Sequence, residues 1–373
     1  MGLSNPPAPI RLTKERGMHD ITMDETCRVL VDTSSDLDRP PSSQVYAIQS
    51  DNMFDRTHAN EDSGSSSRCY LKLLLVLHDS EADDTLAVAD SVDSMSQNGA
   101  RSKQKLVSKL RPPELLSLHA YDATDTIYGA IYLPDISIYG PGPYPLVCSV
   151  YGGPHVQRVN RTWSSMTADM RAQRLTAMGF AVLKCDNRGS SRRGLNFEGS
   201  IKGRLGSVEV LDQVAAVKQL VALGIADQSR VGIYGWSYGG YLAGMCLCRA
   251  PDVFHCAVAG APVTSWDGYD THYTERYMGL PDENAEGYSK SALFHHVHNL
   301  KGKLMLVHGL IDENVHFRHT ARLINHLVTA GKDYDLMVFP DERHSPRRLC
   351  DRMYMEKKIC EYFVRNLAER RHL

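Results

Sequence analysis

Arg230-Val231-Gly232-Ile233-Tyr234-Gly235-Trp236-Ser237-Tyr238-Gly239-Gly240-Tyr241-Leu242-Ala243-Gly244-Met245 decides the fold. The apolar run ending at Tyr234 reads as a buried strand, and the residues from Gly240 onward suit a helix. Between them lies Gly-x-Ser-x-Gly in the strand-to-helix setting of a nucleophile elbow. A serine on so sharp a turn has crowded backbone on both sides, so the residues two before and two after it must lack side chains. Gly235 and Gly239 meet that need. The turn lifts the Ser237 hydroxyl clear of the sheet and aims the amide of Tyr238 at the oxyanion that attack on a carbonyl would create.

A hydroxyl at neutral pH is a poor nucleophile, so a base must take its proton and a carboxylate must hold that base in the right tautomer. Both residue types occur downstream. Lys303-Leu304-Met305-Leu306-Val307-His308-Gly309 reads as a buried parallel strand, with Asp312 in the loop past its carboxyl end, where such sheets present functional groups. The next strand, Tyr334 to Pro340, is followed by Asp341-Glu342-Arg343-His344. The order Ser237, Asp312, His344 is that of an α/β-hydrolase and differs from the trypsin-like and subtilisin-like orders.

Sixteen histidines make most of them structural or solvated. His295, His296 and His298 lack a carboxylate or cysteine at ligand spacing, so no metal is expected there. His308 reads as packed at a strand end, and His316 and His319 as part of the helix that follows. His344 stands apart because it follows the last strand in a short polar loop.

The chain of 373 residues, 42% hydrophobic, can bury a large core. A formal charge of −2 offers no field for nucleic acid or anionic membranes, and the apolar runs are too short to span a bilayer. The first residues lack the basic and apolar regions of a secretory signal. A cytoplasmic protein with nine reduced cysteines is therefore expected, and the sequon Asn160-Arg161-Thr162 should be unused. Cys148 and Cys185 fall in buried strands and Cys246 with Cys248 lacks Cys-x-x-Cys spacing, which points to inert thiols.

Composition divides the chain into residues 1–111 and 112–373, with a flexible Ser/Asp-rich insertion over about residues 55–110. In the first part Cys27–Asp32, Gln44–Ile48 and Tyr70–Leu77 read as strands of an antiparallel sheet, with a turn at Asp38-Arg39-Pro40-Pro41. From Tyr128–Leu133 the pattern passes from hairpin to alternating strand and helix. Pro145–Tyr151 and Phe180–Asp186 are continuous apolar strands with an amphipathic helix between them near Met166 to Met178. Val208 to Leu223 supplies the helix before the elbow strand, and Ala257–Gly260 the strand after the elbow helix. The expected fold class is α/β, a doubly wound, mostly parallel α/β-hydrolase sheet.

Tyr151-Gly152-Gly153-Pro154, Asn187-Arg188-Gly189-Ser190, Gly235 to Tyr241, Tyr273-Thr274-Glu275-Arg276-Tyr277-Met278-Gly279-Leu280-Pro281 and Asp312-Glu313-Asn314-Val315-His316-Phe317 occur in that order. Together they resemble the dipeptidyl peptidase branch of the prolyl oligopeptidase family over about residues 112–368. The stretch from Gly17 to Pro41 is similar to the end of that family's β-propeller, most like its cytosolic members. The resemblance implies a partial propeller remnant before the hydrolase. It also implies a triad of Ser237, Asp312 and His344, and oxyanion donors from the Tyr151 hydroxyl and the Tyr238 amide. Val263, Trp266, Tyr269 and Tyr273, with Val315 nearby, match the walls of a pocket for proline, and Asn314 matches a residue that holds the substrate carbonyl. Tyr269, Tyr273 and Tyr277 recur every four residues, so one helix would align them.

Members that release dipeptides fix the substrate's free amine with adjacent glutamates in their propeller, and this sequence contains no adjacent Glu pair. About a hundred residues precede the hydrolase pattern, room for one or two blades, so a truncated product, a fragmentary gene model or a fragment of a longer protein is expected. The expected activity is a serine peptidase needing no cofactor. It would cleave after proline and act on peptides with proline or alanine at the penultimate position, releasing N-terminal dipeptides in its full-length form. A homodimer is left open. The alternatives are an acylpeptide hydrolase or esterase, and an idle binding or regulatory protein.

Overall fold

A computed structural model describes residues 9–50, 69–79 and 109–368. The expected insertion at about 55–110 lies outside the described residues except for the strand near Tyr70 and the last residues before 111. The chain divides into two compact units, residues 1–112 with 160–169, and residues 113–159 with 170–373.

The first unit carries one antiparallel meander of β1 (Met18–Met23), β2 (Val29–Asp36), β3 (Arg39–Ser50) and β4 (Cys69–His78), paired in that order. The β1–β2 reversal is closed by the Asp24 carboxylate, whose Oδ1 accepts the amides of Arg28 and Val29 at 2.8 Å each. The expected turn at Asp38 to Pro41 is corrected: Asp36 pairs with Arg39, so the reversal is at Leu37-Asp38 and both prolines lie in β3. Proline cannot donate to a ladder. Here β4 begins to pair only at Ser43, and the β2 register shifts by a bulge at Ser34/Asp36, so the missing N–H groups cost nothing. Among the described residues the unit is one meander and not a ring of blades.

The second unit is built on eight strands: β5 (Glu114–His119), β6 (Thr126–Tyr132), β7 (Tyr144–Val150), β8 (Ala181–Asp186), β9 (Ala226–Trp236), β10 (Cys256–Gly260), β11 (Lys303–Gly309) and β12 (Asp335–Phe339). Their order is β12-β11-β10-β9-β7-β8-β6-β5. β6 runs antiparallel to β5 and β8, and all other neighbours are parallel. This is the α/β-hydrolase sheet.

Strand side chains alternate between two cores, as period-two geometry requires. Leu146, Cys148 and Val150 of β7 and Val231 and Ile233 of β9 join one, with the helices Val208–Ala222 and Tyr238–Arg249. Val147 and Tyr234 join the other, beside Ala172 and Leu175 of helix Met170–Thr176 and Ile359 and Phe363 of helix Leu349–Leu367. The helix expected near Met166 to Met178 is thus shorter, and residues 160–169 group with the first unit.

After β7 the chain adds β8 on one side and then returns to place β9 on the other, so the sheet changes direction beside the β7 and β9 ends. Ligands of open α/β sheets bind at such a switch point. Val150 is register partner of Gly235, which puts Tyr151 and Trp236-Ser237 at adjacent strand ends.

Candidate active site

Ser237 has φ 60° and ψ −119°, outside the regions that non-glycine residues favour. Such strain costs about 1–3 kcal/mol and persists only where the surroundings over-determine it. Here they do: the Ser237 amide donates to the Gly260 carbonyl at 2.8 Å, and the Tyr241 amide donates to the Ser237 carbonyl at 3.0 Å. A Cβ on Gly235 would stand 2.0 Å from the Gly239 carbonyl oxygen, and one on Gly239 would stand 2.4 Å from the Val150 oxygen. The two glycines let strand, turn and helix cross at that distance.

Asp312 follows β11 and is 3% exposed. Its Oδ1 accepts the amides of Asn314 and Val315, each at 2.9 Å. Its Oδ2 takes His344 Nδ1 at 2.8 Å and His308 Nε2 at 3.1 Å. Burial works to raise the Asp312 pKa, but the hydrogen bonds from His308 and His344 hold it well below the ordinary carboxylate range. The carboxylate thus stays charged, and its contact fixes the proton of His344 on Nδ1, leaving Nε2 as the basic nitrogen.

Asp312 and His344 therefore meet through a direct hydrogen bond. Among the described residues no hydrogen bond joins the Ser237 hydroxyl to His344, a geometry that in unliganded enzymes commonly tightens only with substrate. His344 is tied to the elbow by another route. Trp236 Nε1 donates to the His344 carbonyl at 2.7 Å.

The Tyr238 side chain is buried, and its hydroxyl donates to Glu209 Oε1 at 2.6 Å. Glu209 is itself fully buried and accepts the amides of Gly206 and Ser207 at 2.9 Å. Burial raises its pKa against those donors. This arrangement anchors the first residue of the elbow helix, the one whose amide faces the turn. Tyr151 packs with its ring centroid 5.9 Å from that of Tyr238, and burial raises its phenol.

The aromatic residues singled out from sequence form one cluster. Trp266 is 1% exposed, and the Tyr273 ring lies stacked on it at 6.0 Å and 17°. Tyr269 meets Trp266 and Tyr273 edge-on at 5.9 and 5.4 Å. Val263 and Val315 are buried in the same core. The Tyr269 hydroxyl donates to Asn314 Oδ1 at 2.7 Å, which joins the cluster to the Asp312 loop. The expected single helical stripe is corrected. The helix is Thr271–Met278, capped by Asp270, so Tyr273 and Tyr277 share it while Tyr269 ends the preceding turn Trp266–Gly268.

The family model described as "Prolyl oligopeptidase family" matches residues 166–370. The chain belongs to the prolyl oligopeptidase family. Dipeptidyl peptidase 8 of Homo sapiens is 44% identical over 265 residues, covering 69% of this chain and 29% of that protein. Dipeptidyl peptidase 4 of Sus scrofa is 36% identical over 277 residues, covering 73% and 34%. A solved structure described as "a putative dipeptidyl aminopeptidase IV from Bacteroides ovatus" superposes with a TM-score of 0.76 at 28% identity, over 95% of this chain and 44% of that one. Within the family the chain sits on the dipeptidyl peptidase branch, and it spans about a third of the length of the curated relatives it matches.

Three residues that support this candidate site were not assigned a part in it by sequence: Trp236, Glu209 and His308. His308 precedes Asp312 by four positions, the one local signal available, but a strand-end histidine reads as packing without the fold. His316, expected on the next helix, lies before it, since the helix is Arg318–Thr329. His295 and His296 contact the carbonyls of Ser289 and Lys290. Among the described residues no group of three or more His, Cys, Asp or Glu could hold a metal ion. No helix among them is long and apolar enough to cross a membrane.

Proposed function

We propose that this chain carries the catalytic unit of a serine peptidase that cleaves after proline or alanine at the penultimate position, releasing N-terminal dipeptides as part of a full-length protein. The observation that carries the reading is the Asp312–His344 contact at 2.8 Å beside a serine held at positive φ. His344 Nε2 takes the Ser237 proton as Oγ attacks the carbonyl. The Tyr151 hydroxyl and the Tyr238 amide donate to the resulting oxyanion. His344 then returns the proton to the leaving amine, and water releases the acid by the same path.

Specificity follows from Val263, Trp266, Tyr269, Tyr273 and Val315, whose flat aromatic and short branched faces suit a pyrrolidine ring. With Oδ1 of Asn314 taken by Tyr269, its amide group is the donor left for a substrate carbonyl. No cofactor enters the scheme. The nine free cysteines suit a reducing compartment such as the cytoplasm.

Labelling with a fluorophosphonate tests the reading. The chain should be modified at Ser237, and Ser237→Ala should abolish labelling and remove about six orders of magnitude in turnover. An unlabelled wild-type chain would favour an idle binding protein. Labelling with equal hydrolysis of prolyl and non-prolyl substrates would favour an acylpeptide hydrolase or esterase.

A further inference from the structure

The segment Val263-Thr264-Ser265-Trp266-Asp267-Gly268-Tyr269 leaves β10 and delivers three of the proposed pocket walls, yet it belongs to no sheet. One side chain from elsewhere spans it. His319, in the first turn of helix Arg318–Thr329, is 2% exposed and lies between the two ends of the segment. Its Nδ1 accepts the Thr264 amide at 3.2 Å, and its Nε2 contacts the Gly268 carbonyl at 3.1 Å. The Thr264 hydroxyl donates to the His319 carbonyl at 2.9 Å. An amide can only donate and a carbonyl can only accept, so the contacts require the neutral tautomer with its proton on Nε2.

We propose that His319 is a specificity-positioning residue: by bracketing Thr264 and Gly268 it sets the shape of the segment that presents Val263, Trp266 and Tyr269 to the substrate ring. This rests on the peptidase reading of the site. A histidine that merely filled space would be replaced by leucine at little cost to pocket shape, because volume alone would hold the segment. Here the two ring nitrogens reach two points of one segment, four residues apart on either side of Trp266. The next residue, Thr320, contacts His308 Nδ1 at 2.7 Å, and His308 in turn contacts Asp312. Adjacent residues at one helix start thus position the pocket segment and the acid loop together.

The full chain and its His319→Leu and His319→Gln variants would be treated with two probes that phosphonylate Ser237. In each, Oγ bonds to phosphorus, the proton passes to His344, and fluoride or phenoxide leaves. One probe is a small alkyl fluorophosphonate, which needs no pocket. The other is a glycyl-prolyl diphenyl phosphonate. For His319→Leu the ratio of prolyl to small-probe labelling rates should fall about tenfold, as for loss of a buried hydrogen bond, and His319→Gln should largely restore it. Hydrogen exchange at the Thr264 amide should quicken by about tenfold in His319→Leu, while helix Tyr238–Arg249 keeps its protection. Normal small-probe labelling with an unchanged ratio would overturn the role of His319 alone, as would faster exchange spread equally over both segments. No wild-type labelling by the small probe would overturn the peptidase reading, and the specificity role with it.

Discussion

The indole N–H of Trp236 donates to the backbone carbonyl of His344 at 2.7 Å, linking the residue before the proposed nucleophile to the residue proposed as its base. The β12–helix loop that carries His344 is otherwise held by Glu342, whose carboxylate accepts the amides of Arg347 and Arg348 at 2.9 and 3.1 Å. The loop is thus clamped after His344 by a carboxylate and at His344 by the elbow strand. Trp236→Phe should keep the ring's packing but leave the carbonyl without its donor, at about 1–3 kcal/mol. Turnover should fall by about tenfold or more, with KM little changed, because the base and not the pocket is loosened. Steady-state kinetics checks this, and an unchanged kcat would make Trp236 a packing residue only.

His308 and Asp312 form the second close relationship of the site. His308 is fully buried, contacts Thr320 through Nδ1, and has the Val315 carbonyl 2.7 Å from Nε2. His308→Phe would leave a buried carbonyl and a buried hydroxyl unpaired and would remove one donor from Asp312. A loss of about 1–3 kcal/mol per unsatisfied group is expected in urea denaturation. A variant as stable as the parent would show that these groups find other partners.

The elbow, the buried parallel strands around it and the Asp312 and His344 loops were legible because each depends on local pattern: apolar runs of strand length, glycines at fixed offsets, and polar residues directly after a strand. The Leu37-Asp38 reversal was not, since two prolines usually mark a turn and only the late start of β4 pairing lets them sit in a strand. Tyr269 was placed on a helix by a four-residue spacing that continues through it by coincidence; Asp270 caps the helix one residue later. Trp236, Glu209 and His308 act through partners 108, 29 and 4 residues away. Sequence spacing cannot report contacts of the first two kinds, because they exist only once the fold has brought a strand end against a distant loop and two helix starts against each other.

Tyr151 tests the proposed oxyanion site without touching Ser237. Its ring is held against Tyr238, so Tyr151→Phe should preserve the fold and remove only the hydroxyl. If that hydroxyl donates to the oxyanion, the transition state should lose roughly 3–4 kcal/mol, seen as a fall of 10²–10³ in kcat. Thermal unfolding of the variant should match the parent. An unchanged kcat for prolyl peptide hydrolysis would assign Tyr151 to packing.

Acid should weaken the protein through His319. Burial, then the nearby His308, Arg318 and Arg322, hold its imidazole down to about 4 against the favourable contact with Gly268. Asp267, on the same segment, is engaged by Ser265 and Arg322. With the folded value below the unfolded one, the unfolded chain binds the extra proton first. The contribution of a neutral His319 is therefore complete above the ordinary histidine range and is lost as pH falls toward 4. Between pH 7 and 4 that loss is roughly 3 kcal/mol. His319→Gln cannot titrate, so its stability deficit relative to the parent at pH 7 should shrink by that amount at pH 4. Urea midpoints at the two pH values measure the difference, and parallel curves for parent and variant would show that His319 does not carry the acid sensitivity.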